Sequence, residues 1–229
     1  MKEQPLPLLP PPGSVHWMQQ EPFSERMLAD IAEVNGVFVA LALELHLLRP
    51  GMPVLGLPAH LLPALACQGR VGIGSLRLPY VLFDMRFRDP DYWRTQVTGV
   101  VSVQDGEATR PADIRLVRFA RTALTLAWHL AQVEPRAARL ALGLETATEP
   151  LLAGLSVGAL DSLSRRMAPA LAARFCTRER FWSMLADASR RGADPACVER
   201  VRLLGLQLQG ADAARAQQLY RRQRRSTQA

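Results

Sequence analysis

VLFDMRFRDPDYW at residues 81–93 and ALAARFCTRERFW at residues 170–182 decide how this chain reads. Each holds an Arg-Phe pair, then a polar stretch with charges, then an aromatic residue followed by Trp. In the first, Asp89-Pro90 is a helix start: an aspartate that can cap, then proline at the first helical position, where its missing N–H costs nothing. The apolar run VLFDMRF ahead of it is compatible with an extended segment. Each stretch is thus a joint where an apolar run turns into a helix.

Reading outward, the two joints belong to longer matching arrangements. ALELHLLRPGMPVLGL (residues 42–57) answers LAWHLAQVEPRAARLALGL (residues 126–144): a helix end, a proline break, a short helix and a Leu-Gly-Leu stop. The spacing from Gly56 to Arg86 agrees with that from Gly143 to Arg174 within about one residue, which gives a period of about 88 residues. Arg86-Phe87 then matches Arg174-Phe175, and Tyr92-Trp93 matches Phe181-Trp182. A tandem duplication follows. A duplicated helical unit can pack on its copy as a homodimer would, with pseudo-two-fold symmetry and no dependence on concentration.

The bulk properties are those of a globular chain. It has 229 residues, 48% apolar and 21% charged, enough for a sizeable core. No uninterrupted apolar run nears the roughly 18 residues of a membrane span. The closest, VFVALALELHLL from Val37, carries Glu44 and His46. The N-terminus lacks the pattern of an export signal, so a cytoplasmic protein is expected. Cys67, Cys176 and Cys197 fit neither a metal knuckle nor a disulfide scaffold. The net charge is +7. Lys2 is the one lysine, and such an arginine bias is a weak vote for a polyanion partner.

Along the chain, residues 1–22 are a proline-rich lead. Residues 23–98 form the first repeat, 99–110 a polar linker, 111–210 the second repeat, and 211–229 an arginine-rich tail, helical or disordered. Ser24 caps a long helix whose Met27, Ile31, Val34, Phe38, Leu41 and Leu45 share one face. RVGIGSLRLPY (residues 70–80), broken by glycines and a proline, reads as a loop or distorted turn. A second long helix starts at Pro111, with Ile114, Val117, Leu124, Trp128 and Ala131 inward. Three short helices, the helix after Arg174-Phe175, and a last helix from Pro195 complete an all-α class.

On these residues, both halves resemble FlhD, the helical subunit of the flagellar master transcriptional activator. DIAEVNGVFVALALEL (residues 30–45) is similar to that family's long first helix. LAWHLAQVEPRAARLALGLETATEPLLAGLSVGALDSLSRR (residues 126–166), ARF at 173–175 and ADASRRGADPACVERVRLLGLQL (residues 186–208) resemble its later part. The resemblance covers roughly residues 30–98 and 112–210. It implies a non-enzymatic regulator, two FlhD-like repeats packed as an intramolecular pseudo-dimer, acting on promoters with a zinc-binding FlhC-like partner and duplex DNA. Three departures stand out. The chain fuses two copies, Phe83 and Leu171 replace the family's cross-linking cysteine, and RVGIGSLRLPY stands where the family has a helix.

Candidate sites weigh against chemistry. Gly154-Leu155-Ser156-Val157-Gly158 matches the nucleophile-elbow pattern, yet a helix rather than a strand precedes it and Ser156 suits a helix cap. Gly72-Ile73-Gly74 is a poor phosphate loop. His16, His46, His60 and His129 lack metal-ligand spacing. No catalytic, metal or cofactor residue is therefore expected. Phe87, Tyr92, Trp93, Phe175, Phe181 and Trp182 are expected as anchors of the core or of the interface between repeats. Arg86 and Arg174 are expected to pair with a carboxylate or cap helix carbonyls. Arg178, Arg180, Arg190, Arg191, Arg215, Arg221, Arg222, Arg224 and Arg225 are the candidates for DNA backbone contacts. The rival expectation is a helical adaptor that does not bind DNA.

Overall fold

The computed structural model describes residues 23–67, 69–99, 111–190 and 194–227. These are mostly helical: α1 (Glu25–Leu48), α2 (Leu62–Ala66), α3 (Gly69–Gly74), α4 (Pro90–Thr98), α5 (Pro111–Val133), α6 (Pro135–Leu142), α7 (Glu149–Ala153), α8 (Val157–Met167), α9 (Glu179–Ala188) and α10 (Pro195–Thr227). Two short strands, β1 (Phe83–Asp84) and β2 (Ala172–Ala173), pair antiparallel. The proline-rich lead and nearly all of the 99–110 linker lie outside the described residues.

The helix starts follow from local capping. The Ser24 hydroxyl accepts from the Met27 amide at 3.2 Å, and Asp89 Oδ1 accepts from the Tyr92 amide at 2.9 Å. Each satisfies an amide that the first turn of a helix leaves without a partner. Pro90 sits inside the first turn of α4, as the sequence indicates. α1 is long and apolar enough to cross a membrane by length and composition. Its Ile31, Phe38, Leu41 and Leu45 are instead buried in the protein core.

α1 and α5 run antiparallel. Glu44 near the end of α1 meets Arg115 near the start of α5 at 3.0 Å, and the rings of Phe38 and Phe119 lie 5.5 Å apart. α3 packs on α1 and α8 packs on α5. The last helix before the linker, α4, leaves its own neighbours and packs on α7 and α8. α9 packs chiefly on α10 and, in return, reaches α2 and the turn at Ala59–Leu61. One apolar core runs through all of these elements, each fully buried large side chain contributing about 1.5–3 kcal/mol.

The strand pair sits between the exchanged helices. Phe83 lies opposite Ala173 and Asp84 opposite Ala172. As in any antiparallel pair, a single offset, here 89, turns the first pairing into the second. The same offset relates Arg86 to Phe175, both with left-handed backbone at φ 56° and 57°. It relates the turn bond from Asp89 N to Arg86 O to that from Arg178 N to Phe175 O, at 2.9 and 2.8 Å. It also relates Trp93 to Trp182. Earlier in each half the offset is 87, between α2 and α7 and between Gly56 (φ 82°) and Gly143 (φ 68°).

Three expectations need correction. Gly69–Gly74 is helical, not a loop; packing against α1 outweighs the low helix propensity of its three glycines. Ile114 is 47% exposed, because α5 begins beyond the reach of the core. Finally, the backbone equivalence runs one residue out of step with the Arg-Phe match. Arg86 stands where the other half has Phe175, and Arg174 where it has Met85. Side-chain letters slid by one because the turn geometry, not the Arg-Phe text, fixes the register.

Asn35 is the buried polar residue of α1, 1% exposed. Its amide donates to Tyr80 O at 2.9 Å and accepts from Leu82 N at 2.8 Å, pinning the chain just before β1. Both groups are buried and would otherwise be unpaired.

Candidate functional site

The arginines expected to meet DNA are dispersed. Arg178 and Arg180 are exposed at the start of α9, on either side of Glu179, which meets His60 Nε2 at 3.3 Å. Arg190 follows the other end of this ten-residue helix, about 15 Å away at 1.5 Å per residue. Its guanidinium pairs with Asp187 at 3.1 Å. Arg215 is exposed on α10. Arg191 and the side chains of Arg221, Arg222, Arg224 and Arg225 lie outside the described residues, although α10 itself runs on to Thr227.

The six aromatic residues are placed differently from one another. Phe87, Trp93 and Trp182 are 0% exposed and Phe181 1%. Trp93 stacks on Phe87 with centroids 5.8 Å apart, while Phe181 meets Phe175 edge-on at 5.0 Å. Each indole N–H finds a carbonyl: Trp93 donates to Arg86 O at 3.0 Å and Trp182 to Arg174 O at 3.2 Å. Tyr92 is half-buried, with the Arg86 guanidinium 4.7 Å above its ring. Arg86 also comes within 3.8 Å of Asp89.

Ser156 is the N-cap of α8. Its hydroxyl accepts from Ala159 N at 3.3 Å, and α7 precedes it rather than a strand. Asp161 pairs with Arg121 at 2.9 Å. Among the described residues, no group of three or more His, Cys, Asp and Glu is placed to hold a metal ion.

A pocket of about 420 Å³ opens beside the strand pair. Asp84 and Ala172–Thr177 form its floor, Leu142 ends α6 on one side, Arg88 follows β1, and Asp212 and Arg215 come from α10. Arg174 is buried there. Its Nη1 donates to Ala141 O at 2.9 Å near the end of α6, a carbonyl that also accepts from Val81 N at 3.1 Å. With the Gln209 amide oriented to satisfy both its ends, Nη1 also donates to the Gln209 side-chain oxygen at 3.1 Å, and the amide nitrogen donates to Leu140 O at 2.8 Å. Arg88 donates from Nε to Gly143 O at 3.2 Å and from Nη2 to Gln209 O at 3.0 Å. Gly143 must be glycine on two grounds: its backbone is left-handed, and a Cβ there would stand 1.9 Å from Arg174 Nη2.

Burial pulls the Arg174 guanidinium down to about 10, while the charges of Asp84 and Asp212 act to keep it protonated. It therefore stays a cation at neutral pH. A buried cation needs hydrogen bonds or a counter-charge, because desolvation penalises it heavily.

α10 is fastened by Tyr80, at the far side of the same junction. The Tyr80 hydroxyl donates to Val201 O at 2.7 Å, and its ring lies against Gly205. Burial raises the Tyr80 pKa well above its ordinary 10.0, against the opposing charges of Arg174 and Arg202. The sign of the pH effect follows. Below 10.0 the phenol is neutral in both folded and unfolded chains. Above 10.0 the unfolded chain gives up the proton first, so the Tyr80 contribution to stability falls as the pH rises past 10.0. The lowered Arg174 acts in the opposite sense over the same range, so the Tyr80 contribution is read as the difference between thermal melts of the unaltered chain and of Tyr80→Phe above this pH. Tyr80→Phe should remove that contribution while costing about 1 kcal/mol for the lost hydrogen bond.

Sequence reading did not find Arg88, Gln209, Asp212, Tyr80 or Gly205. Nothing local distinguishes them; only the docking of α10 brings them together. No family model matches the chain, and neither does any curated protein or solved structure.

Proposed function

We propose that the chain is a cytoplasmic, non-catalytic regulatory subunit of the FlhD type, in which two duplicated helical repeats form an intramolecular pseudo-dimer. The observation that carries this reading is the reciprocal packing about the strand pair. α4 crosses to α7 and α8, α9 crosses to α2, and the 89-residue offset of the strand pair also relates the left-handed residues Arg86 and Phe175 and the buried Trp93 and Trp182. That is the arrangement two subunits of a helical dimer would make, here held in one chain. Its work would be contact with a protein partner, an FlhC-like zinc-binding subunit, with arginines adding contacts to the DNA backbone. Arg178, Arg180, Arg190 and Arg215 are the exposed candidates among the described residues.

One observation favours the adaptor reading, in which the fold is kept without DNA. Arg190 is held by Asp187, and Arg215 lines a pocket. The two readings part on salt dependence. A DNA-contacting subunit, alone or with a co-purifying partner, should bind a fluorescent duplex at low salt. Its affinity should fall steeply as salt rises, and removal of residues 215–229 should weaken it. A protein that holds its partner yet ignores the duplex at low salt is an adaptor.

A further inference from the structure

We infer that the pocket beside the strand pair is an effector site for a free α-amino acid with an apolar side chain. This goes beyond the regulatory reading and stands whether or not the chain meets DNA.

Arg88, Arg174 and Arg215 converge on one cavity, and none of them forms an ion pair among the described residues. Their internal hydrogen bonds leave donors over. Arg88 uses Nε and Nη2, Arg174 uses Nη1, and Arg215 uses none among the described residues. A guanidinium carries five N–H donors in a planar fork suited to a carboxylate. Arg174 is buried and forms no ion pair among the described residues; Asp84 and Asp212 favour its charge without pairing with it, so a carboxylate arriving in the pocket adds a direct counter-charge.

Asp84 and Asp212 line the same cavity. Asp84 Oδ1 accepts from Phe87 N at 3.2 Å, which fixes the carboxylate in place, and Asp212 is half-buried with no hydrogen bond among the described residues. A dianion such as phosphate would gain the arginines but would also be repelled by both carboxylates. A zwitterion meets both signs, its carboxylate on the arginines and its ammonium on the aspartates. Of the remaining lining, Leu142, Ala172, Ala173 and Phe175 are apolar and would receive a small hydrocarbon side chain, with Cys176 and Thr177 beside them. A volume of about 420 Å³ lies within the usual range of small-molecule pockets, roughly 300–1,000 Å³.

The location says what binding would do. The pocket draws residues from β1, the end of α6, β2 and α10. A bound amino acid would tie α10 to the junction between the two halves.

The test is a titration of the full chain with single free L-amino acids. The matching deamino carboxylates, the matching amines and inorganic phosphate serve as comparison probes. Apolar amino acids should raise the melting temperature saturably, by roughly 5–10 °C at about a hundredfold excess over Kd. Deamino acids and amines should bind at least tenfold more weakly. Arg215→Ala and Asp212→Ala, both at the solvent side of the pocket, should each weaken binding at least tenfold, and Arg178→Ala should not. The inference is overturned if no probe shifts the melt. It is equally overturned if phosphate or a plain carboxylate binds as tightly as the amino acid, or if both pocket variants bind unchanged.

Discussion

Trp182→Ala and Trp93→Ala each lower the unfolding free energy by about 3–5 kcal/mol, the usual cost of removing a large aromatic from a packed core. Both side chains are 0% exposed, and both donate an indole hydrogen bond to a carbonyl in the preceding turn. Truncation therefore opens a cavity, and in Trp182→Ala it also removes the indole donor from Arg174 O, whereas Arg86 O keeps its bond from Asp89 N. The two changes should not behave as a private matter of one half. α4 carries Trp93 onto α7 and α8, while α9 carries Trp182 onto α2. Urea unfolding followed by circular dichroism should remain a single transition in each variant, shifted to lower denaturant. Two separated transitions would mean that the halves fold independently and that the exchanged packing is weak.

Gly205→Ala is the second large effect. A Cβ at this position would stand 2.1 to 2.5 Å from atoms of the Tyr80 ring. The ring cannot swing aside, since it is fully buried and its hydroxyl is bonded to Val201 O. Overpacking a core in this way costs about 1–3 kcal/mol, and here the outcome should be the release of α10 from Tyr80. Gly210→Ala, one and a half turns further along the same helix, is the control. Nothing lies within 4 Å of its added Cβ, so the change should be neutral or stabilising by up to about 1 kcal/mol, the helix-propensity difference between the residues. Hydrogen exchange across residues 195–210 should rise in the first variant and not in the second.

What could be read from the sequence was set by local physics. Ser24, Asp89-Pro90 and Ser156 announce helix starts because capping is decided within four residues, and each cap is found with its predicted geometry. The apolar spacing of α1 names its buried face for the same reason. The helix at Gly69–Gly74 could not be read, because its glycines argue against it and only contact with α1 holds it. Ile114 fits the period of α5 yet faces solvent, because periodicity shows which face is apolar and not where the core ends. The pocket was least legible of all. Arg174 attracted notice as half of an Arg-Phe pair, but its partners, Ala141 and Gln209, lie 33 and 35 positions away and belong to other helices.

The mismatch between Arg174 and Met85 has a consequence for how such a chain can change. In a dimer of identical subunits, every substitution near the two-fold axis appears twice, so a cation buried on one side is buried on the other as well. If the halves arose by duplication, joining them in one chain lifted that obligation. Met85 could remain a plain core residue while its counterpart became a guanidinium beside a cavity. The symmetric half of the junction holds the molecule together, and the asymmetric half is free to acquire chemistry that a homodimer would have to carry in duplicate.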